Sequence, residues 1–303
     1  MATVSAMRRP ARPVRRAAGS AATGARRESP VKILLYVLAA VLSVLVFLVP
    51  LGWALLRSLQ TNAVITAAPD WSTFFQLTLD NFRNISGIGS IPRAIGNSLI
   101  VSIGTALLTT ALATAAGYGF GRFRFPGSGV AFALILVTLM IPFQAILTPL
   151  FLQLNAMRLT DNLFGLVLFY STVNLPFGVF VMRTAFASVP NELEDAANVD
   201  GAGPMRTLAS VLRPLIVPGM ATTALYAFLA SWTEFLGALV FLTRQELYTL
   251  PVALLNLQQG AYGTIDYGLL AAGSVIAMIP CIVLFVALQR YYVAGLSAGA
   301  VKG

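Results

Sequence analysis

The sequence predicts an all-α integral membrane protein with six transmembrane helices and a cytoplasmic helical elbow between the fourth and the fifth. Three observations lead there. Of 303 residues, 57% are hydrophobic and 10% charged, with a mean hydropathy of +0.81, whereas soluble domains carry roughly 25% charged residues. Six apolar runs each reach the roughly 20 residues needed to cross a bilayer as a helix. Between the fourth and fifth runs, residues 184–213 concentrate six charges in thirty residues.

In chain order, residues 1–32 form a tail rich in Arg, Ala and Pro, read as a disordered cytoplasmic anchor that meets anionic lipid. The first span, 33–56, is too long for the apolar core of a secretory signal and ends in Trp53-Ala54-Leu55-Leu56-Arg57. A core at 94–289 then carries spans at 97–120, 130–152, 163–182, 215–242 and 268–288, and 290–303 form a second cytoplasmic tail. Small residues in the second span, Ala111, Ala113, Ala115, Ala116 and Gly117-Tyr118-Gly119, suit close helix packing.

Orientation follows from the basic residues. With the amino end cytoplasmic, fifteen of the twenty Lys and Arg residues fall on the inside, although eight of the fifteen lie in the tail. Both termini and the elbow are then cytoplasmic.

Within the elbow, Pro190 suits a helix start, and Glu192, Glu194 and Asp195 favour the positive end of the helix dipole. Gly201 suits a left-handed cap, and Pro204 can open a second short helix. Leu193, Ala196 and Ala197 make a compact apolar face that a partner's groove can approach closely.

Residue usage narrows the chemistry. The single cysteine, Cys281, excludes an intrachain disulfide, and the absence of histidine removes the commonest metal ligand and general base. No dyad for catalysis, no metal set and no Gly-rich phosphate loop is present, so the chain reads as neither an enzyme nor a nucleotide binder. The basic excess sits largely in the tail and argues for no nucleic acid. Glu234 lies inside the fifth run, either lining a pathway or hydrogen-bonded locally to hold helices together. Pro142, Pro149 and Pro176 either kink helices beside a cavity or are tolerated by their neighbours, so Gln144 and Asn174 join Glu234 as candidates for a solute path. Two outer loops are expected. The first, 60–92, carries Trp71, Phe74, Phe75 and Phe82. The second, 243–267, carries Asn256, Gln258, Gln259 and Tyr262, which suit either an interfacial belt or a partner.

The elbow resembles the coupling loop of permeases in ATP-binding-cassette importers. That pattern is Glu-Ala-Ala, three residues, Gly, and later Leu-Pro; here it reads Asp195-Ala196-Ala197, Asn198-Val199-Asp200, Gly201, and later Arg213-Pro214. Asp195 and Arg213 depart from it. Asn97-Ser98-Leu99, Gly121-Arg122-Phe123-Arg124-Phe125-Pro126-Gly127, Met140-Ile141-Pro142, Trp232-Thr233-Glu234-Phe235 and the ending from Gln289 resemble the maltose-permease branch, which takes up carbohydrates.

The resemblance implies a type I importer fold, a second permease subunit, a dimer of ATPase subunits that bind the ATP, and an extracytoplasmic solute-binding protein. It implies a di- or oligosaccharide as cargo, with a polyol or a glycerol-phosphate-type solute as the alternative and a secondary transporter as a distant one. It assigns Glu194, Asp195, Ala196, Ala197, Asp200, Gly201 and Ala202 to ATPase coupling. Asn256, Gln258, Gln259 and Tyr262 are assigned to binding-protein contact. This chain itself is expected to bind no cofactor.

Overall fold

A computed structural model describes residues 29–68, 70–88, 90–259 and 264–300, the last eleven by backbone alone. Residues 1–28 of the basic tail, and Tyr262, lie outside the described residues. The chain divides at Pro50 into two units. In the first, the described part belongs to α1 (Pro30–Ser58), apolar on every face as suits a helix surrounded by lipid.

The second unit holds everything else. Three short helices, α2 (Asn62–Thr66), α3 (Trp71–Phe74) and α4 (Asp80–Gly87), occupy the first expected loop. Then follow α5 (Ser90–Arg122), α6 (Ser128–Thr138), α7 (Phe143–Ala156) and α8 (Leu163–Ala187). The elbow supplies α9 (Glu192–Val199) and α10 (Pro204–Arg206), which runs through a π-helical segment, Thr207–Leu212, into α11 (Arg213–Thr233). After α12 (Leu236–Phe241) and α13 (Leu250–Gln258), α14 (Tyr267–Ala300) completes the chain.

Two expected spans are broken. The third is not one helix over 130–152: α6 and α7 meet at 98°. Residues 139–141 close tight turns back to Leu136, Val137 and Thr138, and Pro142 brings no N–H with which to continue the helix. Pro149 and Pro176 lie inside continuous helices. The fifth run starts earlier than residue 215, at Pro204, so the expected second short helix is the foot of this span. It also stops at Thr233 and restarts as α12, with Glu234 extended between them.

Close contacts fix the relative directions of α5, α8 and α11. Gly104 lies against Val167, Gly178 against Ala113, Gly117 against Met182 and Gly121 against Phe186, so α5 and α8 run parallel. A Cβ on Gly117 would stand 2.5 Å from Met182 Cβ, so only glycine allows the approach, whereas Gly119 faces open space. Two neighbouring spans run parallel only if the chain between them returns across the bilayer. The bent pair α6–α7 is therefore a single crossing, and the described spans number six. Gly219 against Ala185 and Thr223 against Gly178 make α11 antiparallel to α8.

Buried apolar side chains gather in three groups. Met182, Phe186, Leu212 and Ile216 pack at the elbow end. Leu166, Phe169, Tyr170 and Phe241 pack towards the far end, beside a third group built on Phe228, Trp232 and Leu250. At the far end, Asn81 Nδ2 donates to the carbonyls of Ser58 (2.9 Å) and Gln60 (2.7 Å). Asn62 bonds the chain entering α14.

Candidate functional site

The elbow stands out from the helical body. Asn191 precedes α9, whose first turn bears Glu192, Glu194 and Asp195. Its end is a Schellman motif, with Gly201 at φ +75°, Gly201 N–H donating to Asn198 O (3.0 Å) and Ala202 N–H to Ala197 O (2.9 Å). Of the eight residues of α9 only Ala197 is buried. Ala197 thus faces the body and leaves the apolar face expected for a partner. Ala196 stays exposed, and the larger outward apolar groups are Leu193, Val199 and Met205, the last two 88% and 77% exposed.

Arg122, the last residue of α5, roots this helix. Its Nε lies 2.7 Å from Glu194 Oε1 as an ion pair, with the arginine side chain 6% exposed. One terminal nitrogen donates to Asn191 Oδ1 and the other to Val189 O (2.9 Å). Glu194 therefore faces Arg122, while Asp195, Asn198 and Asp200 remain exposed. A polar cleft of about 450 Å³ between the α5–α6 turn and α9 is lined by Arg124, Asn191, Asp195 and Asn198 among others.

The three solute-path candidates sit in different surroundings. Gln144 is exposed in the first turn of α7 and hydrogen-bonds neither of the others. Asn174 is buried, and its Nδ2 donates to Tyr170 O one turn back (2.7 Å). Glu234 accepts from the N–H groups of Leu236 (2.9 Å) and Gly237 (2.9 Å) and from the Tyr170 hydroxyl (2.5 Å). The carboxylate thus caps α12 and ties it to α8.

A cavity of about 570 Å³ instead opens at the break in the third span, lined by Thr138, Ile141, Phe143, Thr172, Pro176 and Tyr226 among others. Pro142 and Pro176 were its legible signals; the hydroxyls of Thr138, Thr172 and Tyr226 carried none.

At the far end the second expected loop contains α13, seated on α5 and α14. Asn97 Nδ2 donates to the carbonyls of Glu246 (2.9 Å) and Tyr248 (3.1 Å), and Leu250 N–H to Ser98 Oγ (2.8 Å), so Asn97-Ser98 holds the entry to this helix. Asn256 is half-buried on α13, and Gln258 and Gln259 are exposed at its end. Asp161 accepts from Thr243 N (2.6 Å) and Arg244 N (3.1 Å) and from the Thr243 hydroxyl. The Thr243 hydroxyl first, then these N–H groups and the nearby Arg244 charge, hold the Asp161 carboxyl below the usual carboxylate range, against its slight desolvation.

Residues 109–297, which include the elbow, the bent span and α13, match the family described as binding-protein-dependent transport system inner membrane component. The chain belongs to that family. It is a permease subunit of an ATP-binding-cassette transporter and a multi-pass membrane protein. The trehalose/maltose transport system permease protein of Thermococcus litoralis is 30% identical over 279 residues, which are 91% of this chain and 99% of that protein. The trehalose transport system permease protein of Mycobacterium tuberculosis is 34% identical over 259 residues, 84% of this chain and 93% of the relative. The diacetylchitobiose uptake system permease protein of Streptomyces coelicolor is 30% identical over 285 residues, 94% and 93% of the two chains. In fold, the chain is similar to a subunit of a bacterial transporter that imports the acidic polysaccharide alginate, with a TM-score of 0.75, 22% identity and coverage of 87% of this chain and 98% of that one. The fold is that of a type I importer permease.

Proposed function

We propose that this permease is a membrane-spanning subunit of an ATP-driven, binding-protein-dependent importer of di- or oligosaccharides. Its relatives are named for trehalose, maltose, diacetylchitobiose and arabinooligosaccharides, which supports a sugar cargo. The observation that carries the coupling role is the elbow: a capped helix rooted by one buried arginine, with acidic groups and the apolar Leu193, Val199 and Met205 turned outward. That surface suits a cleft in an ATP-hydrolysing partner, which supplies the nucleotide chemistry.

In this reading the elbow and both termini are cytoplasmic, as the basic residues favour, and a second permease completes the pore. The far end, with Asn256, Gln258 and Gln259, then faces the binding protein. A secondary transporter fits less well, because Glu234 is engaged with Tyr170 and the first turn of α12 and is not a free ion-coupling group.

The test replaces Gly201 with Val. Space around Gly201 is open, so the effect comes from the left-handed backbone alone, which a β-branched residue resists. Cells carrying either form are given labelled di- and oligosaccharides, polyols and glycerol phosphodiesters, and the permease is purified to look for an ATPase. Loss of both sugar uptake and ATPase in the variant, at equal membrane content, supports the reading. ATP-independent uptake, or no ATPase with either form, refutes it; uptake of only a polyol or a phosphodiester refutes the sugar assignment.

A further inference from the structure

Beneath the elbow's exposed surface, one contact stands apart. The Arg122 guanidinium is buried, and it joins the end of α5 to the start of the elbow across more than sixty-five residues of sequence. Its three nitrogens reach in three directions: Nε to the Glu194 carboxylate, one terminal nitrogen to the Asn191 side chain and the other to the Val189 carbonyl. A guanidinium fork serves all three at once, which an ammonium does not.

Ala197 is the one buried residue of α9, and its carboxyl end leads into Asp200-Gly201-Ala202-Gly203, a joint with two glycines. Directly before Arg122, by contrast, α5 is in close register with α8. A Cβ on Gly121 would stand 2.9 Å from Phe186 Cβ, and the Tyr118 and Phe186 rings are 5.3 Å apart. The clamp therefore fastens the first turn of α9 to the end of α5, where α5 packs closely on α8.

We infer that Arg122 is the positioning residue through which displacement of the elbow reaches the α5–α8 pair. This rests on the importer reading above. Without the clamp, α9 still presents its outer face and is still gripped, but its motion is taken up at Gly201 and Gly203 and does not turn the spans.

The experiment compares Arg122→Gln and Arg122→Lys with the wild-type chain in the assembled transporter in vesicles, scoring bound ATPase, ATP hydrolysed and solute moved. Both variants are expected to keep the ATPase and to hydrolyse ATP, while solute moved per ATP falls about tenfold, within the range of ordinary coupling free energies. Retention of charge by lysine does not rescue, because the contacts to Asn191 and Val189 are lost. As a second arm, Arg122→Cys with Asn191→Cys, in a Cys281→Ser background, should be uncoupled until a short thiol cross-linker joins the two positions and transport per ATP returns. An unchanged ratio in Arg122→Gln overturns the inference. So does loss of its ATPase like that of Gly201→Val, which would make the clamp a docking element, and so does a cross-linked pair that stays uncoupled. A wild-type chain that never holds an ATPase refutes the importer reading instead, and the inference falls with it.

Discussion

Replacing Gly117 with alanine should weaken the protein by an amount that the neighbouring Gly119 predicts by contrast. Both glycines lie in the same turn of α5. A Cβ at 117 would stand 2.5 Å from Met182 Cβ and 2.8 Å from Arg183 N and Met182 C, whereas one at 119 meets nothing within 4 Å. Carbon atoms pack best at about 3.5–4.0 Å, so α5 and α8 must part by about 1 Å, and neither a Cβ nor a backbone atom can swing aside. A gap of that size forfeits a quarter to a half of each dispersion contact along the seam, which puts the cost near the upper end of overpacking, about 3 kcal/mol. Alanine returns up to about 1 kcal/mol in either place by restricting the unfolded chain. The expected outcome is a loss of about 2 kcal/mol for Gly117→Ala and a gain of up to about 1 kcal/mol for Gly119→Ala, read by reversible unfolding of the purified permease in mixed micelles. Two variants that differ by less than about 0.5 kcal/mol would refute the claim that the α5–α8 seam rests on direct backbone contact.

Asn97→Ala leaves the carbonyls of Glu246 and Tyr248 without their donor, and should cost about 1–3 kcal/mol in the same assay while exposing the segment before α13 to protease. Glu234→Ala uncaps α12 and strands the Tyr170 hydroxyl; a loss of about 2 kcal/mol is expected, with hydrogen exchange rising first at 236–241. Because its native pKa is lowered, Asp161 lends stability that is fully present above the ordinary carboxylate value of about 3.9 and is lost as pH falls through the native value. Asp161→Asn should flatten that acid limb and leave the rest of the pH profile unchanged; an identical limb in the variant would show that other groups set it.

The six runs and the elbow were legible because each depends on features local in sequence: apolar length, an acidic first turn, and a glycine where the backbone turns left-handed. The breaks were harder. Pro142 and Pro149 look alike in sequence, yet only Pro142 breaks a helix, because the difference lies in what packs around them: Phe143 sits against Phe169, and the cavity opens beside Ile141. Glu234 was visible as the acid inside the fifth run, but its role depends on Tyr170, sixty-four residues earlier. The helix α13 could have been found, since Thr249-Leu250-Pro251 is a helix-opening pattern; the polar residues near its end drew the reading towards a loop. Arg122 was legible as an inward basic charge and as part of the 121–127 stretch, but not as a clamp, because Asn191 and Glu194 come together with it only once α5 and α8 lie side by side.

The bend between α6 and α7 also bears on how the chain is made. At 1.5 Å per residue their eleven and fourteen residues measure about 17 Å and 21 Å, and neither alone bridges a hydrocarbon layer of about 30 Å. Most of what covers the bend, namely Phe169, Thr172, Pro176 and Tyr226, leaves the ribosome later. The cavity beside the bend is therefore complete only once α8 and α11 are part of the chain, because Thr172, Pro176 and Tyr226 line it.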